Sequence, residues 1–240
     1  MDYMEDIAEF WIGDDDRIKE VVFQANYSPL VVMKGGTGDH KINRRRKDSG
    51  VADVGKEVTI DTYQAINAIQ AKALESVRSF YSPFKSDMLP RIPKNGLYIY
   101  GSNGTGKTYL TYAIANSLMR RFDLIMATTV EINDKIRRAE FETGATSNRA
   151  KDKYKFYDIL IIDDIGKQKL NEFQVNNLFD IIDYRSSNLL PTIFTSNYGS
   201  QGLIERLTPD GSDESTASSI IDRLNGMCKV IKMEGDSLRK

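Results

Sequence analysis

The residue run best suited to chemistry is a glycine-rich loop that ends in a lysine and a threonine. It spans Gly101 to Thr108 and matches the pattern G-x-x-x-x-G-K-[ST] at every fixed position. Such a loop lets the backbone approach phosphate closely, and its amides attract an anion. We expect Lys107 to reach the β- and γ-phosphates of a nucleoside triphosphate, and the Thr108 hydroxyl to hold Mg²⁺. The predicted nucleotide contacts are Gly101, Ser102, Asn103, Gly104, Thr105, Gly106, Lys107, Thr108 and Tyr109.

Two carboxylates follow the most apolar run of the chain. Residues 157–162 are a predicted buried strand that ends in Asp163 and Asp164. An acidic side chain at the carboxyl end of a parallel strand lies where α/β sheets bind ligands. We expect Asp163 to hold Mg²⁺ together with Thr108, and Asp164 to orient or deprotonate the attacking water. The alternative is an acidic pair that caps a turn before Gly166.

Two further side chains are candidates for the same site. Asn197 follows a predicted strand at 191–195, where its amide could position the water or contact the γ-phosphate. Without that context, an asparagine after a strand is a turn residue. Arg223 could stabilise charge at the γ-phosphate bound to a neighbouring subunit. The alternative is an arginine on a helix surface.

Short apolar strands alternate with helical segments around these residues. The predicted strands cover 97–100, 123–129, 157–162 and 191–195, and the predicted helices 109–119, 131–141 and 171–184. This alternation predicts an α/β fold with a parallel sheet covered by helices on both faces. In such a sheet the phosphate loop and the carboxylates meet at one edge.

The first 24 residues have a different character. Eight acidic residues stand against two basic ones in residues 1–20, and apolar residues from 7 to 23 recur at roughly helical spacing. This pattern predicts a small helical pair, which packs on itself or on the main domain, or which docks a partner through the aromatic pair Phe10 and Trp11. A short strand is predicted at 29–33.

A glycine-rich segment at 34–57 is a predicted loop or linker. Its basic run, Arg44 to Lys47, is a solvated surface or, alternatively, a phosphate contact. A helical pattern from about 60 to 80, capped by Thr59 or Asp61, then begins the nucleotide-binding domain. The predicted domains are residues 1–58 and 59–240.

The composition narrows the classes of function. The chain has 240 residues, a net charge of −1, one cysteine and one histidine. These counts exclude an internal disulfide, a thiol or imidazole zinc site, and a Ser-His-Asp hydrolase. No apolar run approaches the ~20 residues of a membrane span, and the acidic N-terminus is unlike a signal peptide. We therefore expect a cytoplasmic protein without a membrane partner.

The order of these motifs resembles the AAA+ P-loop ATPases. More narrowly, it resembles the DnaC-type replicative helicase loaders, which are related to IstB-type transposition helpers and DnaA initiators. The resemblance covers about residues 80–240 and is most specific at 96–108, 158–166 and 219–239. Residues 228–239 resemble the family's terminal strand and its arginine-bearing tail, which ends at Arg239.

The resemblance implies a role for each candidate residue. Gly101 to Thr108 becomes the Walker A loop, and Asp163 and Asp164 become the Walker B pair. Asn197 becomes sensor 1, and Arg223 a trans-acting arginine finger. The implied protein is a homo-oligomeric ATPase that uses ATP and Mg²⁺, with ATP at subunit interfaces and slow turnover that assembly or DNA stimulates.

The resemblance also implies partners. In this family, the region between the second strand and the Walker B strand contributes to binding single-stranded DNA. The matching residues, about 131–156, hold seven basic and five acidic side chains over 131–155. The candidate phosphate contacts are Arg137, Arg138, Arg149, Lys151, Lys153 and Lys155.

The implied function is ATP-dependent loading of a replicative helicase onto single-stranded DNA during replication initiation. Residues 1–58 would hold the hexameric helicase, in a bacterial or phage-infected cell, and their divergence is expected of a phage protein adapted to one helicase. One alternative is an IstB-type ATPase that assists a transposase. Another is a DNA-binding module in which ATP is a switch with little turnover, because Asp164 is one methylene shorter than the commoner glutamate.

Overall fold

A computed structural model describes residues 21–22, 30–31, 39–52, 57–143 and 148–238. The chain forms two compact units, Met1–Lys41 and Ile42–Lys240. This division lies earlier than the boundary at 58/59 that the sequence suggests, so residues 42–58 group with the larger unit. The assignment of the first 58 residues to a partner stays a prediction.

The described part of the first unit is a pair of short strands and residues 39–41. β1 (Val21–Val22) pairs antiparallel with β2 (Leu30–Val31), with Val21 opposite Val31. The predicted strand at 29–33 is confirmed in its centre, whereas the helical prediction is wrong at Val21 and Val22. β-Branched side chains favour strands over helices. The predicted helical residues before 21, including Phe10 and Trp11, lie outside the described residues.

Helices and strands alternate along the rest of the chain. The helices are α1 (Asp39–Ser49), α2 (Ala68–Tyr81), α3 (Lys107–Leu118), α4 (Thr129–Thr143), α5 (Asn148–Phe156), α6 (Glu172–Ser187), α7 (Ser200–Leu207) and α8 (Ser215–Met227). The strands are β3 (Gly96–Tyr100), β4 (Leu124–Thr128), β5 (Ile159–Asp163), β6 (Thr192–Ser196) and β7 (Cys228–Lys232). A short 3₁₀ helix, Ser82–Lys85, follows α2.

The five later strands form one parallel sheet in the order β4-β5-β6-β3-β7. Successive residues of β3, β4, β5 and β6 enter opposite cores: in β3, Leu97 and Ile99 pack with α2 and α3, and Tyr98 packs with the cluster that includes α4, α6 and α8. Burial on both faces explains the apolar runs of β3, β4 and β5, whereas the edge strand β7 has three exposed residues. The predicted α/β fold is confirmed.

Helix α1 replaces part of the predicted loop at 34–57. Arg45 forms an ion pair with Asp123 (Nε to Oδ1, 2.8 Å) and donates to the carbonyl oxygens of Met119 and Arg120 at the end of α3. Arg46 donates to Asn116 Oδ1 at 3.0 Å. A cation at a helix C-terminus is favourable. Half of the basic run therefore contacts α3, which corrects its expected role as a solvated surface or a phosphate contact.

A fully buried arginine lies at the amino end of the sheet. Arg185 of α6 has no exposed surface, and burial lowers the pKa of its guanidinium to about 9. It donates to the carbonyl oxygens of Tyr154, Lys155, Tyr157, Asp158 and Pro191 and to the hydroxyl of Thr192. These acceptors lie at the end of α5 and at the starts of β5 and β6. Arg185 thus joins three elements away from the predicted site.

Candidate nucleotide-binding site

The glycine-rich loop joins β3 to α3, as the sequence predicts. Gly104 and Gly106 have φ values of 79° and 94°, in the left-handed region that favours glycine. Gly106 is the N-cap residue of α3, so its conformation sets where the helix begins. A Cβ at Gly106 would lie 2.6 Å from Gln70 Nε2, so the loop also has no room for a side chain there.

The loop presents donors suited to an anion. Among the residues that the structure describes, the backbone amides from Ser102 to Gly106 have no hydrogen-bond acceptor. Lys107 is buried, and its Nζ lies 2.8 Å from both the Gly101 and the Ser102 carbonyl oxygens. Thr105 Oγ1 donates to Ser102 O at 3.0 Å. Unpaired amides beside a buried ammonium fit a polyphosphate.

Tyr109, the last predicted nucleotide contact, lies on the first turn of α3. Its ring is 44% exposed and lies 5.6 Å from the ring of Tyr63. Burial raises the pKa of Tyr63 to about 12. Tyr63 thus packs beside Tyr109, and the sequence identified only Tyr109.

Asp163 is the last residue of β5 and Asp164 follows it, and Thr195 of β6 is hydrogen-bonded to both. The Thr195 hydroxyl donates to Asp163 Oδ1 at 2.5 Å and accepts from the Asp164 amide at 2.8 Å. Burial raises the pKa of Asp163, although the hydrogen bond from Thr195 opposes that shift. Because burial disfavours the charged form of this carboxylate, binding of a cation that neutralises the charge would be favourable.

The candidate oxygen ligands for a metal are Asp163 at the end of β5 and Thr108 on the first turn of α3. The described residues contain no group of three or more His, Cys, Asp or Glu side chains that could hold a metal. Asp163 and the half-buried Thr108 would therefore hold Mg²⁺ together with phosphate oxygens, as is common for this ion. Their residue types fit Mg²⁺.

Asp164 lies on a strained turn. Its φ is 54°, and its Oδ2 accepts from Lys167 Nζ at 2.9 Å. Arg206 of α7 holds the same turn, because it donates to the carbonyl oxygens of Gly166 and Lys167, each at 2.9 Å. The sequence identified Asp164 but neither Lys167 nor Arg206, since surface cations have no distinguishing pattern.

Asn197 follows β6, between the loop and the acidic turn. The residue before it, Ser196, accepts from the Gly101 amide at 3.2 Å and donates to Ile165 O at 2.8 Å. The end of β6 therefore contacts both parts of the site. The side chain of Asn197 is half-buried, and its role in positioning water stays a prediction.

Arg223 lies on α8, and its described polar contacts are with carboxylates rather than with the phosphate loop. Nε pairs with Asp183 of α6 at 2.8 Å, and a terminal nitrogen pairs with Asp222 at 3.1 Å. These carboxylates raise the pKa of the exposed guanidinium. The structure brings Lys107, Asp163 and Asp164 to one edge of the sheet without bringing Arg223 there, and its role in a neighbour's site stays a prediction.

The candidate DNA contacts differ in accessibility. Lys151 is buried and forms an ion pair with Asp180 at 2.8 Å, so the structure argues against it as a phosphate contact. Arg137 and Arg138 are exposed, and Arg137 lies 3.5 Å from Asp134.

The remaining candidates lie on α5. Lys153 and Lys155 each lie 5.7 Å above a tyrosine ring, those of Tyr157 and Tyr184. The side chain of Arg149 lies outside the described residues.

No helix in the described ranges is long and apolar enough to cross a membrane.

The chain is similar to known ATP-binding and replication proteins. The model of the family described as IstB-like ATP binding protein matches residues 91–240. The replicative helicase loader DnaI of Bacillus subtilis (strain 168) is 27% identical over 151 residues, 60% of this chain and 47% of that protein. The replicative helicase loader DnaC of Escherichia coli (strain K12) is 26% identical over 158 residues, 65% of this chain and 62% of that protein.

A crystal structure of DnaI matches with a TM-score of 0.62 and 26% identity, over 77% of this chain and 95% of that one. By sequence, the chain spans about half to three fifths of the length of the two curated relatives. The similarity therefore covers the parallel sheet, the phosphate loop and the acidic turn.

Proposed function

The chain belongs to the family of IstB-like ATP binding proteins and has the AAA+ fold, and from that premise we propose that it is an ATP-dependent loader of a replicative DNA helicase. The main support for the proposal is that the phosphate loop, Asp163 and Asp164 lie at the same end of a parallel sheet. Both curated relatives described above are replicative helicase loaders.

Each residue of the site has a separate proposed role in binding or hydrolysing ATP. The loop amides and Lys107 bind the phosphates, and Asp163 with Thr108 holds Mg²⁺. The cation neutralises charge on the phosphate oxygens when it is bound. Asp164 accepts the proton of the attacking water, and Asn197 orients that water.

The proposed assembly is a homo-oligomer in which one subunit completes the site of the next. Asp183 and Asp222 hold the guanidinium of Arg223 at a partly exposed position, from which it reaches the γ-phosphate of a neighbour. Single-stranded DNA runs along α4 and α5, where the proposed phosphate contacts are Arg137, Arg138, Arg149, Lys153 and Lys155. Residues 1–58 hold the hexameric helicase in the cytoplasm of a bacterial or phage-infected cell.

A second candidate function is an ATP switch with little turnover. The ion pair between Asp164 Oδ2 and Lys167 Nζ, at 2.9 Å, favours it, because one oxygen of the proposed base is already engaged. Measurable steady-state hydrolysis with single-stranded DNA and helicase favours the loader, and its absence with intact ATP binding favours the switch.

Mixing two inactive variants tests the shared site. Arg223→Ala should lower ATP turnover about a thousandfold, as loss of an arginine finger does, and Lys107→Ala should not turn over because it lacks the phosphate contact. In a mixture, Arg223 of the Lys107→Ala subunit can complete the intact loop of the Arg223→Ala subunit. Recovery of activity on mixing is expected. Full activity of Arg223→Ala alone, or no recovery on mixing, would contradict the shared site.

Co-elution with a purified replicative helicase tests the partner. The full chain should elute with the hexamer in the presence of ATP and Mg²⁺, and a chain that starts at residue 39, and so keeps the whole of α1, should elute alone. Co-elution with a transposase, and not with a helicase, would instead favour the role of an IstB-type ATPase.

A further inference from the structure

The segment after β7, Met233 to Leu238, runs across the phosphate loop. The Met233 amide donates to Tyr100 O at 2.7 Å, just before the loop begins. The Leu238 amide donates to Gly104 O at 2.9 Å, at the middle of the loop. The segment is therefore hydrogen-bonded to the loop and to the strand that leads into it.

The approach of this segment to the loop is too close for side chains. A Cβ on Gly101 would overlap the carbonyl oxygen of Met233, and a Cβ on Gly104 would overlap Ser237 Oγ. Gly104 and Gly101 thus allow two main chains to lie against each other, a use of glycine that is separate from its approach to phosphate.

Gln70 of α2 holds the next carbonyl of the loop. It is 4% exposed, and its Nε2 donates to Thr105 O at 3.2 Å. Its Oε1 accepts from the Ile66 amide at 3.0 Å, which fixes the orientation of the side-chain amide. Two consecutive loop carbonyls, those of Gly104 and Thr105, are therefore held by groups outside the loop.

Holding a carbonyl sets the direction of an amide. In a planar trans peptide the C=O and the N–H point to opposite sides. The bond from Leu238 to Gly104 O therefore directs the Thr105 amide away from the segment, and the bond from Gln70 to Thr105 O directs the Gly106 amide away from α2. These are two of the amides that have no acceptor among the described residues.

We propose that the Leu238 amide and the Gln70 side chain are positioning groups of the nucleotide site, because they fix the Thr105 and Gly106 amides in the orientation that binds phosphate. Neither group touches the nucleotide. The inference rests on the proposed ATP site and adds residues that the phosphate-loop pattern does not contain.

A matched pair of substitutions tests the segment. Leu238→Pro removes the amide donor, whereas Leu238→Ala removes side-chain atoms and keeps the donor. The Kd for ATP should be about fivefold higher in Leu238→Pro than in Leu238→Ala, the factor that corresponds to one lost neutral hydrogen bond. The KM for ATP should rise with kcat unchanged, and the melting temperature without nucleotide should be at most about 2–4 °C lower in Leu238→Pro, as expected for one lost hydrogen bond. Equal Kd values in the two variants would overturn the role of Leu238.

Gln70→Met provides an independent measurement, because it removes the other donor and leaves the segment intact. It should also weaken ATP binding about fivefold, and wild-type affinity would overturn the role of Gln70.

Amide hydrogen exchange of the wild-type chain needs no variant. The Leu238 amide should exchange more slowly than in an unstructured peptide, and exchange at the peptide rate would overturn its bond to the loop. If the wild-type chain bound no ATP, the proposed function would fail instead.

Discussion

Two buried cations lie near opposite ends of the parallel sheet and differ in the groups that surround them. Lys107 lies near the carboxyl ends of the strands, where Nζ contacts two loop carbonyl oxygens beside amides without described acceptors. Arg185 lies near the amino ends, where five carbonyl oxygens and a hydroxyl surround the guanidinium. Both side chains are buried.

The difference between the surroundings of Lys107 and Arg185 indicates that one end of the sheet binds a ligand and the other stabilises the fold. The hydrogen bonds of Arg185 join elements of the fold and contribute to a unique packing, whereas the loop amides beside Lys107 have no acceptor among the described residues and can donate to a ligand. The carboxyl end also has the desolvated Asp163 and the positive φ of Asp164. We therefore expect substitutions at the amino end to change folding, and those at the carboxyl end to change nucleotide binding.

The largest effect is expected at Arg185. Arg185→Lys keeps a charge but loses the planar donor group, so several buried carbonyl oxygens lose their partners. We expect the free energy of unfolding to fall by about 3–5 kcal/mol, measured by chemical denaturation without nucleotide. The matched control is Arg121→Lys at an exposed ion pair with Asp87, which should change it by less than about 0.5 kcal/mol. Equal effects in the two variants would contradict the role of Arg185 in folding.

Lys107→Ala should give the next largest effect, which should appear mainly in the affinity for ATP and not in the stability of the fold. The Kd for ATP should rise about a hundredfold, because the charged contacts to phosphate are lost. The free energy of unfolding should fall by less than in Arg185→Lys, since the loop beside Lys107 is exposed at Ser102 and Asn103, where water can replace a lost contact. Wild-type affinity for ATP would show that the site is wrongly assigned, and a loss of stability like that of Arg185→Lys would remove the contrast between the two ends.

The smallest effect is expected at Asp163, where a substitution should raise the free energy of unfolding instead of lowering it. Its raised pKa means that the ionised carboxylate is disfavoured in the fold, so stability is lost as pH rises through that pKa. Asp163→Asn keeps an acceptor for Thr195 without the charge. Without Mg²⁺ it should raise the free energy of unfolding by about 1 kcal/mol at neutral pH, and the gain should vanish as the pH falls through that pKa. Denaturation at several pH values measures this; a loss of stability would argue against a desolvated charge.

Much of the carboxyl end was predictable because its signals are local. The phosphate loop, Asp163 and Asp164 each stand next to an apolar strand in the sequence, and the parallel sheet follows from the alternation of strands and helices. The groups that hold these residues were not predictable in this way. Thr195 and Gln70 are common residue types whose partners lie 32 and 35 residues away, so their roles depend on the folded structure.

Tertiary contacts also overrode local patterns elsewhere. The helix predicted from about residue 60 begins at Ala68, because Asn67, and not Thr59 or Asp61, accepts a capping bond from the Gln70 amide. Helix α1 lies in a glycine-rich segment without an apolar stripe, and its arginines bind the end of α3 instead. The side chains of Arg185 and Arg223 differ in burial, although nothing in the sequence distinguishes a buried arginine from an exposed one.

The pairing of β3 has a consequence for how the chain acquires its site during synthesis. Leu97 of β3 pairs with Ile193 of β6 and with Lys229 of β7, so both neighbours of this strand come from much later in the chain. Contacts of such long sequence separation form slowly, because a large loop must close first. On the ribosome, the strand that precedes the phosphate loop gains its first partner only after a further 96 residues, from Leu97 to Ile193, have emerged. ATP binding is therefore a late event in the maturation of this protein, and an unfinished chain would have the loop's sequence without its binding conformation.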